Sequence, residues 1–222
     1  MRLFLKIVIL FTVGHVFSQN TTSEPLPSAK IDSLYREDQF YASLSYNLIQ
    51  NRPDGFKQFS FSPGITFGIL RDFPISKNRH WAIAPGIGYS YNNIKQFINS
   101  EEIVGATENT TSENIRTIIT THSIDFPLEI RWRNSTQNSH SFWRIYTGLK
   151  TSYVFNSKLK LESTTESSKE SISDEINRWQ YGAYISVGFN TWNPYIYYGL
   201  NPIFKEGSKM SNFNVGFIFY IL

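Results

Sequence analysis

The C-terminal stretch Asn212–Leu222, which reads NFNVGFIFYIL, decides the fold. It alternates residue by residue, so one face of the predicted strand carries Phe213, Val215, Phe217, Phe219 and Ile221. The opposite face carries Asn212, Asn214, Gly216, Ile218 and Tyr220. Such an apolar strand at the open edge of a sheet would recruit other chains. Pairing between the last strand and the first removes that edge, so the stretch predicts a closed β-barrel.

Alternation of the same kind recurs through most of the chain. Further strands are predicted at residues 39–50, 57–70, 80–92, 117–133, 141–155, 178–191 and 195–204. Together with the last stretch they predict an all-β fold, an eight-stranded antiparallel transmembrane β-barrel. The outward faces are rich in aromatic and branched residues, while polar residues and glycines occupy the inward faces. This pattern is typical of strands that meet lipid on one side and a polar interior on the other.

The predicted connections differ in length between the two ends of the barrel. The long polar stretches 93–116 and 156–177 lie at one end, and the other end carries only short connections. Short periplasmic turns and long extracellular loops are typical of outer-membrane barrels. Two interpretations of the long loops stay open. They are a net acidic surface that binds a protein partner or divalent cations, or solvated loops without a partner.

The N-terminal region has the pattern of a targeting segment. Met1, Arg2 and Lys6 form a short basic region, Leu3–Phe17 is mostly apolar, and Ser18 is small. Residues 1–18 therefore predict a signal peptide, with an uncleaved N-terminal anchor as the alternative. Residues 19–37 predict a flexible periplasmic lead-in, and residues 38–222 the barrel. The sequence contains no Cys, which excludes disulfides, thiolate metal sites and a lipid anchor on a cysteine.

The tryptophans are distributed unevenly along the predicted strands. Those at the short-turn end are Trp81, Trp132, Trp143 and Trp192, and Trp179 alone lies at the other end. Tryptophan prefers the boundary between lipid and water. The distribution therefore predicts an aromatic belt at the periplasmic side of the membrane.

Charged residues on the fourth and fifth predicted strands fall on the inward face. The set comprises Asp125, Glu129, Arg131, Arg133, Arg144 and Lys150. An eight-stranded barrel is just wide enough for its own side chains to fill. We therefore expect a structural lumen charge network of mutually paired residues and no wide pore. A polar path or a protonatable site is the functional alternative.

Signals of enzyme chemistry are weak. The adjacent His and Ser pairs are His122-Ser123 and His140-Ser141. Neighbouring residues of a strand point to opposite faces, so neither pair forms a catalytic couple. No phosphate-binding loop, HExxH or GxSxG motif is present. We therefore expect no catalytic residues, no cofactor and no metal site, and we infer no small-molecule substrate. The scattered basic residues predict no nucleic-acid partner.

Several segments resemble the PorT-like family of small outer-membrane barrels of Bacteroidota. They are REDQFY (36–41), LRDFPI (70–75), FPLEIRWR (126–133), FWRIYTG (142–148), YYGLNPIF (197–204) and FYIL (219–222). The polar residue, glycine and alternating apolar residues at Asn214, Gly216, Phe219 and Ile221 also resemble the C-terminal insertion signal of outer-membrane barrels. The two long loops carry no part of the resemblance.

The resemblance implies an outer-membrane protein that assists type IX protein secretion and the gliding motility that depends on it. Its partners would be outer-membrane lipid and other proteins of the secretion system. The short-turn rim is basic, and the residues at or near it are Arg71, Lys77, Arg79, Arg131, Arg133 and Arg144. It would bind an acidic periplasmic protein or lipid phosphate, or its basic residues would serve only the turns. The alternatives are a stand-alone barrel for envelope stability or adhesion, and a lipid-modifying enzyme.

Overall fold

The structure is a computed structural model that describes residues 38–52, 61–99, 114–134, 143–162, 167–189, 192–207 and 209–221. The predicted signal peptide (1–18) and lead-in (19–37) lie outside the described residues and stay predictions. All the regular elements of the described part are strands. No helix in that part is long and apolar enough to cross a membrane.

The described residues form ten strands. They are β1 (Gln39–Gln50), β2 (Pro63–Leu70), β3 (Phe73–Pro74), β4 (Trp81–Asn99), β5 (Asn114–Arg133), β6 (Trp143–Glu162), β7 (Ser167–Ser171), β8 (Trp179–Phe189), β9 (Asn193–Gly199) and β10 (Ser211–Ile221). Eight of them form the wall, while the short β3 pairs only with β4 and β7 only with β6.

The wall closes between its first and last strands, as the C-terminal alternation predicts. β1 and β10 pair antiparallel from Phe40 opposite Ile221 to Gln50 opposite Ser211, which leaves only Gln39 of the two strands outside the pairing. The ring continues through β2, β4, β5, β6, β8 and β9, each antiparallel to its neighbours. The prediction of a closed eight-stranded antiparallel barrel is confirmed.

Burial alternates along each wall strand in the predicted phase. In β8, for example, Trp179, Tyr181 and Ile185 are exposed on the outside, and Gln180 and Tyr184 are buried inside. An outer surface covered by large apolar side chains is unfavourable in water, and it is expected of a wall that faces lipid.

Three strands are longer than predicted. β4 continues to Asn99 and β5 begins at Asn114, although the polar composition of residues 93–116 predicts a loop. β6 likewise continues to Glu162 and pairs with β7 inside the predicted loop 156–177. Period-two alternation of apolar residues identifies a strand only where one face is apolar. Beyond the lipid-facing wall the outward face becomes polar, so the composition conceals strands whose backbone pairing continues.

The seventh predicted strand is too long at its C-terminal end. β9 ends at Gly199, and Phe204, predicted to face outward on this strand, lies in the connection to β10. Phe204 packs instead against buried residues at the long-loop end. Pro202 has no backbone N–H to continue the strand pairing, so the chain leaves the wall before Phe204.

A β-bulge interrupts the pairing of β5 with β6. His122 pairs with Asn156 while Ser123 pairs with Val154, so Phe155 is the extra residue. A bulge changes the direction of its strand and shifts which residues face inward. On the long-loop side of the bulge, Lys158 of β6 points outward and Ser157 is buried.

Candidate functional site

The barrel interior is the candidate site, because β5 and β6 place all six residues of the predicted lumen charge network there. Asp125, Glu129, Arg131 and Arg133 alternate along β5, and Arg144 and Lys150 follow on β6. Each of them is at most 9% exposed. Burying charges at this level requires ion pairs and hydrogen bonds for each of them.

At the short-turn end the network is organised by Asp72, which follows β2 and is fully buried. Its Oδ1 accepts a hydrogen bond from Nη1 of Arg131 at 3.1 Å, and its Oδ2 accepts one from Nη2 of Arg133 at 2.9 Å. The backbone N–H of Asp72 donates to Oδ1 of Asp38 at 3.0 Å. One carboxylate thus joins the connection after β2 to two arginines of β5.

Glu129 occupies the centre of the network. Its Oε2 accepts a hydrogen bond from Nε of Arg131 at 2.7 Å. Its Oε1 accepts one from the hydroxyl of Tyr184 at 2.8 Å and one from that of Tyr220 at 3.2 Å. The Arg131 guanidinium also lies 4.8 Å from the ring centroid of Tyr146, a distance suited to a cation–π interaction. Strands β5, β6, β8 and β10 are therefore joined through one carboxylate and its arginine.

A second group surrounds Asp125, nearer the middle of the barrel. Its carboxylate accepts hydrogen bonds from Ser90 and, at 3.1 Å, from Ser123. The Nζ of Lys150 lies 3.3 Å from Oδ2 of Asp125 and 4.5 Å from the ring centroid of Tyr197. The lysine is therefore held by an anion on one side and an aromatic face on the other.

Asp72 was not predicted as a lumen residue, because it lies in a predicted connection. The six predicted residues comprise four cations and only two carboxylates, so the predicted network lacked negative charge. That imbalance is a signal that a further acidic side chain reaches the interior. Asp72, which lies just beyond the end of β2, supplies it.

The remaining interior is closely filled. Six of its described residues are buried tyrosines, namely Tyr41, Tyr146, Tyr184, Tyr195, Tyr197 and Tyr220. Among them, Tyr146 lies between Arg131 and Arg144. A cavity beside Glu129 and Lys150 measures about 20 Å³. That volume is of the order needed for a single water molecule.

An apolar cluster fills the barrel at the long-loop end. The wall contributes Ile49, Ile94, Ile119 and Val154, and the connections contribute Ile172, Ile176, Ile203 and Met210. Backbone hydrogen bonds hold the connections in place, from Asn177 N–H to the Ile203 carbonyl at 2.8 Å and from Lys205 N–H to the Glu175 carbonyl at 2.9 Å. We call this group the apolar cap. It was not predicted, because its connection residues lie singly within polar stretches.

The predicted basic rim loses three of its members. Arg131, Arg133 and Arg144 point into the lumen and are at most 4% exposed, so they offer no surface to a partner. Arg71 and Lys77 remain exposed at the short-turn end, and the Arg71 guanidinium lies 5.9 Å from the ring centroid of Phe73. The alternation of β5 and β6 sends the other arginines inward.

The structure places the four tryptophans of the predicted belt around the short-turn end. Trp81 pairs with Trp132 in the register of β4 and β5. Trp143 contacts Phe189 at 5.6 Å between ring centroids, and Trp192 contacts Phe217 and Phe219 at 5.8 and 5.5 Å. Trp179 lies at the opposite end against Tyr153.

The described His and Ser residues form no catalytic couple. His122 faces outward and its Nδ1 lies 2.6 Å from the hydroxyl of Tyr89, while Ser123 binds Asp125 in the lumen. His80, which precedes β4, contacts Asn78 at the short-turn end. His140 lies outside the described residues. Among the described residues, no group of His, Asp and Glu is arranged to hold a metal ion.

A family model described as outer membrane protein beta-barrel domain matches residues 17–205. No curated protein matches the chain. The solved structures that it resembles include Ail, the attachment invasion locus protein of Yersinia pestis, in complex with the heparin analogue sucrose octasulfate. Ail is 14% identical, with a TM-score of 0.41, and the match covers 83% of this chain and 99% of that chain. A major outer membrane protein from Thermus thermophilus is 9% identical, with a TM-score of 0.37 and the same coverage of 83% and 99%.

Proposed function

Since the chain belongs to the family of outer membrane protein beta-barrel domains, we propose that it acts as a sealed, non-enzymatic anchor of the outer membrane. Its work is then done by protein contacts at the two rims, and nothing passes through the lumen. The short-turn rim faces the periplasm and the long-loop end faces the outside, as in other barrels of this kind.

The observation that carries the proposal is the double obstruction of the barrel. The network around Asp72, Glu129 and Asp125 fills the lumen from the short-turn end to the middle. The apolar cap closes the long-loop end. A hydrated ion would have to break buried ion pairs and then cross an apolar layer, and both steps are costly.

A conductance measurement tests the sealed state. The purified full chain in planar lipid bilayers is expected to give no channel openings above the bare membrane, with a general porin as the positive control. Stepwise openings that persist after repurification would contradict the proposal.

Assistance of type IX secretion is the specific form of this proposal, and it is supported by the resemblance to PorT-like barrels. The barrel would hold a periplasmic protein of the secretion system at its short-turn rim. Arg71 and Lys77 are exposed there and suit an acidic partner surface. Contacts between charged rims set the rate and specificity of association more than its strength.

Secretion by a deletion strain tests this specific form. Proteins with type IX sorting domains are expected to accumulate in the periplasm, and the full chain should restore their release. The variant R71E/K77E should fail to restore it, while the matched variant K205E/K209E, which reverses two exposed lysines of the opposite end, should succeed. Unchanged secretion in the deletion strain would contradict the type IX role, while the proposal of a sealed outer-membrane anchor would stand.

Adhesion is a second candidate, favoured by the length of three neighbouring strands. β4, β5 and β6 have 19, 20 and 20 residues, whereas β2 has 8 and β9 has 7. The long strands extend past the wall as a rigid platform. Shortening the β4–β5 hairpin should abolish attachment of cells to surfaces if the platform is adhesive, and should leave secretion intact.

A further inference from the structure

The outward face of the long hairpins carries a concentration of basic residues just beyond the lipid-facing wall. In the strand register, Lys95 of β4 and Lys160 of β6 both lie opposite Ile118 of β5. Lys169 of β7 lies opposite Lys160. Directly opposed residues point to the same side of a sheet, so these three lysines form one row. Arg116 and Lys158 lie in the rows directly above and below. We call these five residues the basic face.

A set of aromatic residues marks where the lipid-facing wall ends beneath the basic face. The hydroxyl of Tyr89 lies 2.6 Å from Nδ1 of His122, whose ring also contacts Tyr91 at 5.3 Å. In the neighbouring rows Tyr153 contacts Trp179 at 5.0 Å. Amphipathic aromatic rings of this kind prefer the level of the lipid headgroups. The basic face begins one row farther from the membrane centre, where Lys158 lies opposite Thr120.

The basic face points sideways over the membrane and away from the barrel mouth. On the other side of the same strands, Ile94 and Ile119 are buried in the apolar cap, and Leu159 packs against it. Alternation therefore sends Lys95, Arg116 and Lys160 outward. A ligand of the basic face would therefore lie beside the hairpins, next to the membrane surface, and not in the barrel mouth.

Among the residues that the structure describes, negative charge is scarce on this face. Glu162 is its acidic residue within the described part of the hairpins. It lies 2.5 Å from Nζ of Lys160 and 3.5 Å from Nη1 of Arg116. The hydrogen bond from Lys160, with the positive charges of Lys160, Arg116 and Lys95, lowers the pKa of Glu162 below its ordinary value. Neither Lys158 nor Lys169 has an ion-pair partner among the described residues.

The described connections at this end contribute a second group of charged residues. Asp174, Glu175 and Glu206, together with Lys205, line a separate cavity between the β7–β8 and β9–β10 connections. Lys160 and Lys169 lie directly opposite each other on paired strands, where like charges repel, and Glu162, the carboxylate that pairs with Lys160, is shared with Arg116. A bound anion would convert that repulsion into a shared interaction.

We propose that the basic face binds the phosphate groups of the glycolipid that forms the outer leaflet. The face lies at headgroup height, points along the membrane surface and carries an excess of cations, so a membrane-embedded phosphate fits it best. Neighbouring strands lie about 4.8 Å apart, so Lys95 and Lys160 stand about 10 Å apart on either side of Ile118. A row of this width can engage more than one phosphate of a headgroup. The proposal rests on placement in the outer membrane and not on the secretion role.

Two matched double variants test the proposal. K160Q/K169Q removes two charges from the basic face, and K205Q/K209Q removes two exposed charges from the β9–β10 connection at the same end. Both have the same net charge. Circular dichroism and heat-modifiable gel migration confirm that each variant folds as the full-length barrel.

Binding is measured by titrating the full chain in phosphatidylcholine nanodiscs with bis-phosphorylated lipid A. The wild-type chain and K205Q/K209Q should bind it with the same affinity. The affinity of K160Q/K169Q should be about tenfold lower, or lower still. Lipid A without phosphates should bind poorly to all three. Equal binding of the two lipids, or equal binding by the two variants, would overturn the proposal.

Competition experiments identify the source of the phosphate. Inorganic phosphate at millimolar concentration should not displace lipid A, because it lacks the membrane placement that raises the local concentration. Displacement by inorganic phosphate would assign the face to a soluble anion. Full displacement by polyglutamate would assign it to an acidic protein. Either result overturns the lipid assignment.

Discussion

Asp72 and Arg131 are separated by 59 positions in the chain, yet Oδ1 of Asp72 lies 3.1 Å from Nη1 of Arg131 and both side chains are fully buried. The pair connects the turn after β2 to β5, and Arg131 then connects to Glu129. The short-turn end is therefore closed by an ion pair whose carboxylate comes from the turn after β2.

Replacing Asp72 with Ala should destabilise the barrel strongly. The change leaves Arg131 and Arg133 buried without one of their anions, and breaking a buried pair costs about 3–5 kcal/mol. The measurement is urea unfolding of the full chain in lipid vesicles. Asp174→Ala is the matched control, because the Asp174 side chain is 93% exposed in its ion pair with Arg178 and such pairs contribute about 0–1 kcal/mol. Equal losses in the two variants would contradict the structural role of Asp72.

The closing seam, which is the pairing of β1 with β10, should be sensitive to the size of residue 216. Gly216 of β10 lies opposite Ser45 of β1, and a Cβ added there would come within 2.6 Å of the Ser45 Cα. Since the obstacle is backbone, Gly216→Ala should reduce refolding into vesicles severely. At Gly64 the nearest atoms are the ends of the Ser45, Asn47 and Asn92 side chains, which can move. Gly64→Ala should therefore refold nearly as well as the wild-type chain, and a reversed order would contradict the seam geometry.

The wall could be predicted from the sequence because lipid and lumen impose opposite requirements on successive residues. The phase of β8 and β10 follows from alternation alone, and so does the burial of Glu129 and Lys150. Closure follows from the apolar last strand. These features depend on local pattern, which a single sequence contains.

The closures of the two ends could not be predicted in the same way. Asp72 reaches the lumen from a turn, and Ile176 and Ile203 reach the apolar cap from polar connections. Their positions depend on where a connection folds back, and no repeating pattern encodes that. The extended parts of β4 and β6 were not predicted for a different reason, because their outward face becomes polar beyond the lipid-facing wall.

The apolar cap should contribute measurably to stability. Ile176 is fully buried, so Ile176→Ala removes packed methyl groups and leaves a cavity, at a cost of about 2–5 kcal/mol. The neighbouring Glu175 is exposed, and Glu175→Ala should change the free energy of unfolding by less than about 0.5 kcal/mol. Unfolding in vesicles measures both. A loss for Ile176→Ala no larger than that of the control would show that the cap is not packed as described.

The tryptophans of the short-turn end should report the depth of that rim in the membrane. A chain in which Trp143 is retained and the other tryptophans are replaced by Phe should fluoresce from one position. Its indole is 55% exposed on the outer wall, so lipid reaches it directly. We expect stronger quenching by lipids brominated near the headgroup than by lipids brominated at the chain end. The opposite order would place Trp143 in the membrane interior and remove the proposed belt.

The ion pair on the basic face should be visible as a titration. Because the pKa of Glu162 is lowered, mainly by the hydrogen bond from Lys160, its carboxylate adds stability above its ordinary pKa. That contribution is lost as the pH falls through the lowered value. In Lys160→Gln the pKa of Glu162 should rise toward its ordinary value, whereas Lys205→Gln should leave it unchanged, as measured by NMR of the labelled carboxyl. An unchanged pKa of Glu162 in Lys160→Gln would show that Lys160 does not pair with Glu162. Addition of bis-phosphorylated lipid A should raise the same pKa in the wild-type chain, because phosphate and Glu162 then compete for Lys160.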